Sequence, residues 1–279
     1  MEHYFSDRHY RDFSASKGPD WDALKRFGET LNRDDVVITF NYDATLERVL
    51  FQQGKWSPGD GFGFDLRFQQ SRQDRTPANP WGSSAVKILH LHGATGWYPR
   101  PTFGPGFQPQ GSGAVSADVF GSAPMETNVA LDPQFLEGLG IFNVDACLPD
   151  TLPVATERHV VIHPSFLKDY LSEEGVIPPL WRRAADDLRR AERIFVVGYS
   201  LPTADSAALT LLLTNCNRGV ARVVNPDGRV KMKLGRLLRS GDMFEGTARF
   251  EEWVAAGCPE RIPWRPRNPA HSDMAEAIS

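Results

Sequence analysis

Residues 34–50 read DDVVITFNYDATLERVL, and this stretch decides the fold class. The run at residues 35–40 is apolar, rich in β-branched side chains and bounded by charge, which predicts a buried strand. A helix with one apolar side is predicted to follow from about Thr45. The polar string Asn41-Tyr42-Asp43 therefore lies in the turn that joins a strand to a helix.

The alternation of strand and helix continues along the chain. Further buried strands are predicted at residues 86–91, 159–162, 193–197 and 220–224. Helices are predicted at residues 20–31, 179–191, 204–216, 229–238 and 250–256. Because nearly uniformly apolar strands alternate with helices, the sequence predicts an α/β fold whose parallel sheet is covered by helices on both faces.

Two segments lack this pattern. Residues 56–84 are rich in Gly, Gln, Arg and Pro, which predicts a loop or a weak hairpin. Gly, Pro and Ser then crowd residues 94–156, which predicts an irregular inserted subdomain. The domain as a whole is predicted to span residues 1–258, and a Pro-rich, then polar tail follows at residues 259–279.

Composition argues against several classes of protein. Charged residues make up 24% of the 279 residues, the net charge is −4 and no block of Lys and Arg exists, so no nucleic-acid partner is expected. The apolar runs are too short to span a bilayer and the first residues lack a signal-peptide core, so a cytoplasmic location without a membrane partner is expected. The 3 scattered cysteines fit reduced thiols and cannot form a four-cysteine zinc site, so no zinc is expected.

The polar residues that follow the predicted strands mark a candidate site. In open parallel sheets, ligands bind beyond the carboxyl ends of the strands. Small, polar or titratable residues follow four of the predicted strands at that edge. They are Asn41-Tyr42-Asp43, His92-Gly93, Gly198-Tyr199-Ser200 and Asn225-Pro226-Asp227.

Each of these residues also has a purely structural interpretation. Asn41 and Asp43 can cap the following helix, and Ser200 can cap the helix after it, since their side chains accept hydrogen bonds from free helical N–H groups. His92 can be a hydrogen-bonded core histidine, and His90 fits that description better. Gly198 can serve only a turn that needs positive φ, and Asn225 begins an ordinary turn signature.

The two histidines leave a metal-dependent hydrolase open as another hypothesis. His90 and His92 form a His-x-His pair at a strand end, and His159 or His163 could complete a set of ligands. No obvious carboxylate motif accompanies them. The sequence also leaves open whether the chain forms a homo-oligomer.

Taken in order, the four motifs resemble the sirtuin-like family, particularly its bacterial NAD-consuming members. The matching strings are ITFNYD at 38–43, LHG at 91–93, VGYS at 197–200 and VNP at 224–226. The resemblance implies a Rossmann-type sheet with a small inserted subdomain, and an NAD-binding domain that cleaves the bond between nicotinamide and ribose. NAD would be the substrate, and a role in bacterial anti-phage defence would follow.

The resemblance also implies roles for individual residues. Asn41 would position the nicotinamide ribose and the attacking water, and Asp43 would hold the nicotinamide carboxamide. His92 would be the general base, which suits an imidazole because its pKa lies near neutral pH. Gly198 and Ser200 would contact the phosphate and the adenosine-side ribose, and Asn225 would contact the adenosine ribose. The transition state would be oxocarbenium-like, as in other glycosidic cleavages.

Two departures from the family pattern refine these expectations. The absent four-cysteine zinc site favours plain NAD hydrolysis over protein deacylation. Residues 1–35 contain only Gly18 and Gly28, without an apolar strand that leads into a glycine-rich phosphate-binding turn. The sequence therefore predicts that the central first strand is missing, as in an N-terminally truncated copy. Loss of that turn makes a non-catalytic module that binds NAD or ADP-ribose the alternative function.

Overall fold

A computed structural model describes residues 19–67, 82–99, 116–119, 129–131, 139, 176–200, 205–216, 221–238 and 248–259. Within these residues the protein is mixed α/β, with short strands in parallel and antiparallel pairs. The chain divides into two compact units, residues 1–190 and 191–279. The predicted strand at 159–162 and nearly all of the predicted tail lie outside the described residues.

The first unit contains three helices and six strands within the described residues. They are α1 (Pro19–Thr30), β1 (Val36–Thr39), α2 (Thr45–Gln52), β2 (Phe64–Arg67), β3 (Lys87–His90), β4 (Trp97–Pro99), β5 (Ser116–Val119), β6 (Val129–Leu131) and α3 (Ile177–Arg190). The strands predicted at 35–40 and 86–91 are thereby confirmed as β1 and β3. The helices predicted at 20–31 and 179–191 are confirmed as α1 and α3.

The centre of the first unit is the parallel pair of β1 and β3. Val36 lies opposite Lys87, and Thr39 lies opposite His90. Ile88 and Leu89 of β3 are fully buried, whereas all of β1 is half-buried. Helix α3 packs against β3 through its apolar face. This pair fixes which residues reach the carboxyl edge together.

Two antiparallel pairs correct the prediction for the irregular segments. The sequence predicts a loop or weak hairpin over residues 56–84, but β2 in that segment pairs with β5, far along the chain. Within the predicted irregular insertion, β4 pairs with β6. These strands are only three or four residues long and are surrounded by Gly and Pro, so local sequence carries little strand signal. Long-range pairing decides their structure.

Aromatic side chains fill the core beside β3. The Phe62 ring lies 4.9 Å from the Trp56 ring and 5.1 Å from the Trp97 ring, both edge-on. The Phe64 and Trp97 rings are 5.3 Å apart. Gly63 has φ of +84°, and a Cβ there would collide with Leu89, so the chain needs glycine to pass this close to β3. These rings pack beside His90, at the carboxyl end of β3.

Lys55 fastens α1 to the end of α2. Its ammonium donates to the carbonyl oxygens of Gly28, Glu29 and Leu31, at 2.7, 2.9 and 2.6 Å. A cation at these carbonyls is favourable because they carry the negative end of the helix dipole. The C-terminal end of helix α2, which carries part of the candidate site, is therefore held against α1.

The second unit repeats the parallel pairing with different helices. Its elements are β7 (Ile194–Val197), α4 (Ser206–Asn215), β8 (Ala221–Val224), α5 (Gly228–Leu238) and α6 (Phe250–Ala255). Strands β7 and β8 are parallel, with Val197 opposite Val224. The Trp253 ring of α6 lies 5.3 Å from the Phe195 ring of β7. All five elements confirm the prediction for this part of the chain.

None of the helices in the described residues is long and apolar enough to cross a bilayer.

Candidate functional site

The register of β1 and β3 brings two of the predicted motifs to one edge. Asn41 and His92 each follow, by two residues, a member of the opposed pair Thr39 and His90. The Leu91 amide donates to the Thr39 carbonyl at 3.1 Å, so pairing continues past the end of β3. Because the strands are parallel, Asn41 and His92 lie at the same carboxyl edge.

Hydrogen bonds fix the backbone of the turn after β1. The Asn41 amide donates to Thr39 Oγ1 at 3.1 Å, and the Asn41 carbonyl lies 3.0 Å from His90 Nδ1. The Tyr42 carbonyl accepts from the amide of Thr95 at 3.0 Å and from its hydroxyl at 3.1 Å. The Asn41 side chain itself is exposed. The turn is therefore rigid in its main chain and presents a carboxamide to solvent.

Asp43 precedes Ala44, the N-cap of the helix that follows, and binds the first free N–H of that helix. Its Oδ1 accepts a hydrogen bond from the Thr45 amide, at the first residue of α2, at 3.1 Å. A carboxylate here satisfies one free N–H and lies at the positive end of the helix dipole. The structural interpretation of Asp43 is thus confirmed, and its contact with a nicotinamide carboxamide stays a prediction.

His92 lies among aromatic rings at the same edge. Its side chain is only 5% exposed. Its ring centroid is 5.1 Å from that of Phe40, 6.1 Å from that of Tyr42 and 6.5 Å from that of Trp181. Trp181 is itself fixed, because its Nε1 donates to the Leu91 carbonyl at 2.8 Å. The imidazole therefore lies in a largely water-excluded setting, in which charge and proton transfers have large energetic consequences.

His90, the last residue of β3, forms a buried pair that was not predicted from the sequence. His90 Nε2 contacts Glu47 Oε1 of α2, and each side chain is 1% exposed. The sequence does not single out Glu47 as a site residue, because a glutamate in a helix is usually on the solvated face. Its spacing from Leu50, three residues on, was the available signal, since both lie on the buried side of α2.

Opposing effects act on the pKa of His90. Burial alone would lower it, because the imidazolium loses its hydration. Attraction to the Glu47 carboxylate and the hydrogen bond between the two groups act the other way, with smaller contributions from the Asn41 carbonyl and Asp43. The net result is a raised pKa for His90. The interaction with Glu47 therefore favours the charged form of the imidazole over its neutral form.

This pairing also bears on the metal hypothesis. Both ring nitrogens of His90 already face protein oxygens, those of Asn41 and Glu47. In the part of the chain that the structure describes, His, Cys, Asp and Glu side chains form no group of three that could hold a metal ion. His159 and His163 lie outside that part, so a metal site that includes them stays a prediction.

The second unit presents a neutral polar edge. The Gly198 amide donates to the Val224 carbonyl at 2.9 Å, and Gly198 has φ of +67°. Asn225 is 5% exposed, and its Nδ2 donates to the Tyr199 carbonyl at 3.1 Å. Its Oδ1 accepts from the Asp227 amide at 2.9 Å. One carboxamide thus joins the turns that follow β7 and β8.

The structural interpretations of these residues are confirmed in part. Gly198 occupies the positive-φ turn, and Asn225 begins the turn that leads into α5. Ser200 and Gly198 are exposed. The pKa of Tyr199 is raised, first by burial and then by the Asp205 carboxylate, so its phenol stays neutral. Contacts of Gly198, Ser200 and Asn225 with NAD stay predictions.

Comparison with known proteins adds no family assignment. The sequence matches no protein-family model, and no curated protein matches it significantly. The likeness to the sirtuin-like family therefore rests on the four short motifs alone.

Proposed function

We propose that this chain is an NAD glycohydrolase that cleaves the bond between nicotinamide and ribose. One observation carries the proposal: the parallel register of β1 and β3 brings Asn41 and His92 to the same carboxyl edge. An amide that can orient water and an imidazole that can take its proton are the groups that such hydrolysis needs. The proposal includes a Rossmann-type sheet with helices on both faces.

The chemistry assigns each group one task. The bond between C1′ of ribose and the pyridinium nitrogen breaks, and its electron pair neutralises the departing nicotinamide. Water then forms a bond to the oxocarbenium-like C1′, and its proton passes to His92. Asn41 orients that water, and Asp43 faces the nicotinamide carboxamide. By the family resemblance, Gly198, Ser200 and Asn225 contact the phosphate and the adenosine-side sugar.

Nicotinamide release from NAD by the purified chain tests the proposal. We expect turnover in the wild type and a fall of about 10²–10⁴-fold in His92→Ala, which is the usual contribution of a positioned base. Asn41→Ala should also slow release. Asn32→Ala is the matched control, because Asn32 is another exposed asparagine near β1 but precedes the strand. His92→Gln, judged folded by circular dichroism, separates loss of the base from loss of packing.

Two results would contradict glycohydrolase activity: unchanged release in folded His92→Gln, or no release by the wild type. The second result would have a structural explanation. A histidine that is buried beside three aromatic rings can line a binding site without taking part in catalysis. Calorimetric binding of NAD or ADP-ribose without turnover would then identify a non-catalytic binding module.

A further inference from the structure

We propose that Glu47 and His90 are positioning residues that hold the Asn41 main chain at the carboxyl edge of β1. Neither side chain has a task in the hydrolysis described above, and both are too deeply buried to touch a substrate. Only the kinetic consequence of this inference rests on the proposed function. The positioning itself is a property of the fold and can be measured separately.

The His90 imidazole is a bridge between two elements. Its Nδ1 lies 3.0 Å from the Asn41 carbonyl oxygen, and its Nε2 contacts Glu47 Oε1 on α2. A carbonyl oxygen can only accept, so Nδ1 must carry a hydrogen. A second proton is then shared between Nε2 and the Glu47 carboxylate. The bridge thus needs an acidic group on α2 and an imidazole on β3.

Burial makes this bridge hard to replace. Each of the two side chains is 1% exposed, so water cannot take over their hydrogen bonds. The Phe62 and Trp97 rings lie 6.1 and 5.7 Å from the imidazole and confine it. The Asn41 amide is held separately by Thr39 Oγ1. Both main-chain polar groups of Asn41 are therefore fixed by side chains, which sets the direction in which its carboxamide leaves the backbone.

Two substitutions of Glu47 separate loss of its charge from loss of the whole bridge. In Glu47→Gln, the amide N–H can donate to a neutral imidazole whose Nδ1–H still donates to Asn41, so the bridge survives without its charge. In Glu47→Ala the bridge has no support on α2. The ionisable groups acting on His90 are Glu47 and Asp43, and His92 follows two residues later.

Amide hydrogen exchange tests the positioning without any assay of activity. In Glu47→Ala we expect the amides of residues 41–45 to exchange about tenfold faster, as for loss of one buried hydrogen bond. Glu47→Gln should stay within about twofold of the wild type by the same reasoning. The amides of β7 report global unfolding, and Glu29→Ala, on the exposed face of α1, is the matched control.

A double variant keeps the test decisive if Glu47→Ala fails to fold. Glu47→Leu with His90→Phe replaces the pair by apolar groups of similar size, which buried pairs often tolerate. We expect this variant to fold, with fast exchange at residues 41–45 and a kcat for nicotinamide release reduced about tenfold at unchanged KM. Wild-type exchange at these residues in the folded double variant would overturn the inference. Absence of nicotinamide release from the wild type would overturn only the proposed function.

Discussion

The two parallel strand pairs have the same geometry, but different side chains follow their carboxyl ends. In β1 and β3 the opposed residues Thr39 and His90 lead to an edge with buried ionisable groups. In β7 and β8 the opposed residues Val197 and Val224 lead to an edge held by a glycine amide and a carboxamide. Register thus decides where a site lies, and the side chains after each strand decide what it can do.

This difference predicts different physical behaviour. The first edge depends on a buried proton and a buried charge, so its rigidity should respond to pH and to the loss of one partner. The second edge depends on neutral hydrogen bonds, each worth about 1 kcal/mol, and should be insensitive to pH near neutrality.

The largest expected effect follows from removing the Glu47–His90 pair at the edge of β1 and β3. Glu47→Ala should lower the free energy of unfolding by about 3–5 kcal/mol, because it removes one partner of a buried pair and leaves the His90 imidazole uncompensated. Urea unfolding followed by circular dichroism measures the change. Glu47→Gln, which keeps a hydrogen-bonding group of the same size, should lose far less. Equal losses in the two variants would mean that the carboxylate charge, which both variants remove, stabilises this edge, and not the hydrogen bond that Glu47→Gln keeps.

The next effect concerns the neutral clamp of the second edge. Asn225→Ala should cost about 1–3 kcal/mol, since the Tyr199 carbonyl and the Asp227 amide lose their partner. Asn225→Asp keeps the oxygen that accepts from Asp227 but places a buried negative charge against the Tyr199 carbonyl, so its loss should be at least as large. Urea unfolding at two pH values, 6 and about 8, checks both points. A strongly pH-dependent loss in Asn225→Ala would contradict the contrast between the edges.

A smaller effect isolates backbone strain at the second edge. Gly198→Ala should cost about 1–2 kcal/mol, the usual penalty for an L side chain at positive φ. A Cβ at Gly198 meets no atom within 4 Å, so no collision adds to this cost. Gly198→Asn should cost less, because asparagine tolerates this conformation better. A loss well above this range would reveal a contact at Gly198 beyond its turn conformation.

Sequence periodicity predicted the parallel strands and the helices of both units, but not the buried pair of Glu47 and His90 that distinguishes the first edge from the second. Strands such as β1 and β7 are continuous apolar runs followed by a helix, and such local patterns are recognisable. The antiparallel strands β2 and β4 were not predicted, because three- or four-residue strands acquire their structure from distant partners.

The same distinction applies to the site residues. Asn41, Asp43 and His92 could be found, because polar residues directly after an apolar strand stand out. Glu47 could not be assigned, because its partner His90 is 43 positions away in sequence and only the fold joins them. Helix spacing alone placed Glu47 beside Leu50, but a buried glutamate needs a partner before it can be interpreted.

The smallest effect near neutral pH follows from pKa shifts of opposite sign. The pKa of His90 is raised above 6.5, so its contribution to stability is complete below pH 6.5 and is lost as the pH rises through the folded pKa. Asp60 behaves in the opposite way. Burial opposes its ionisation, but hydrogen bonds from Lys87, Ser84 and Ser83 lower its pKa below 3.8. Its contribution to stability is therefore complete above pH 3.8 and is lost as the pH falls through the lowered pKa of the folded state.

Hydrogen exchange of β3 and β8 between pH 5 and about 9, corrected for intrinsic rates, compares the two edges directly. Protection of β3 should fall above pH 6.5 in the wild type and much less in Glu47→Gln. Protection of β8 should stay level over this range. In its unit, burial raises the pKa of Cys216 from 9.0 to about 11, so the stability tied to that thiol is lost only above pH 9. Parallel losses in both strands would refute the contrast, because a single titration would then govern the whole protein.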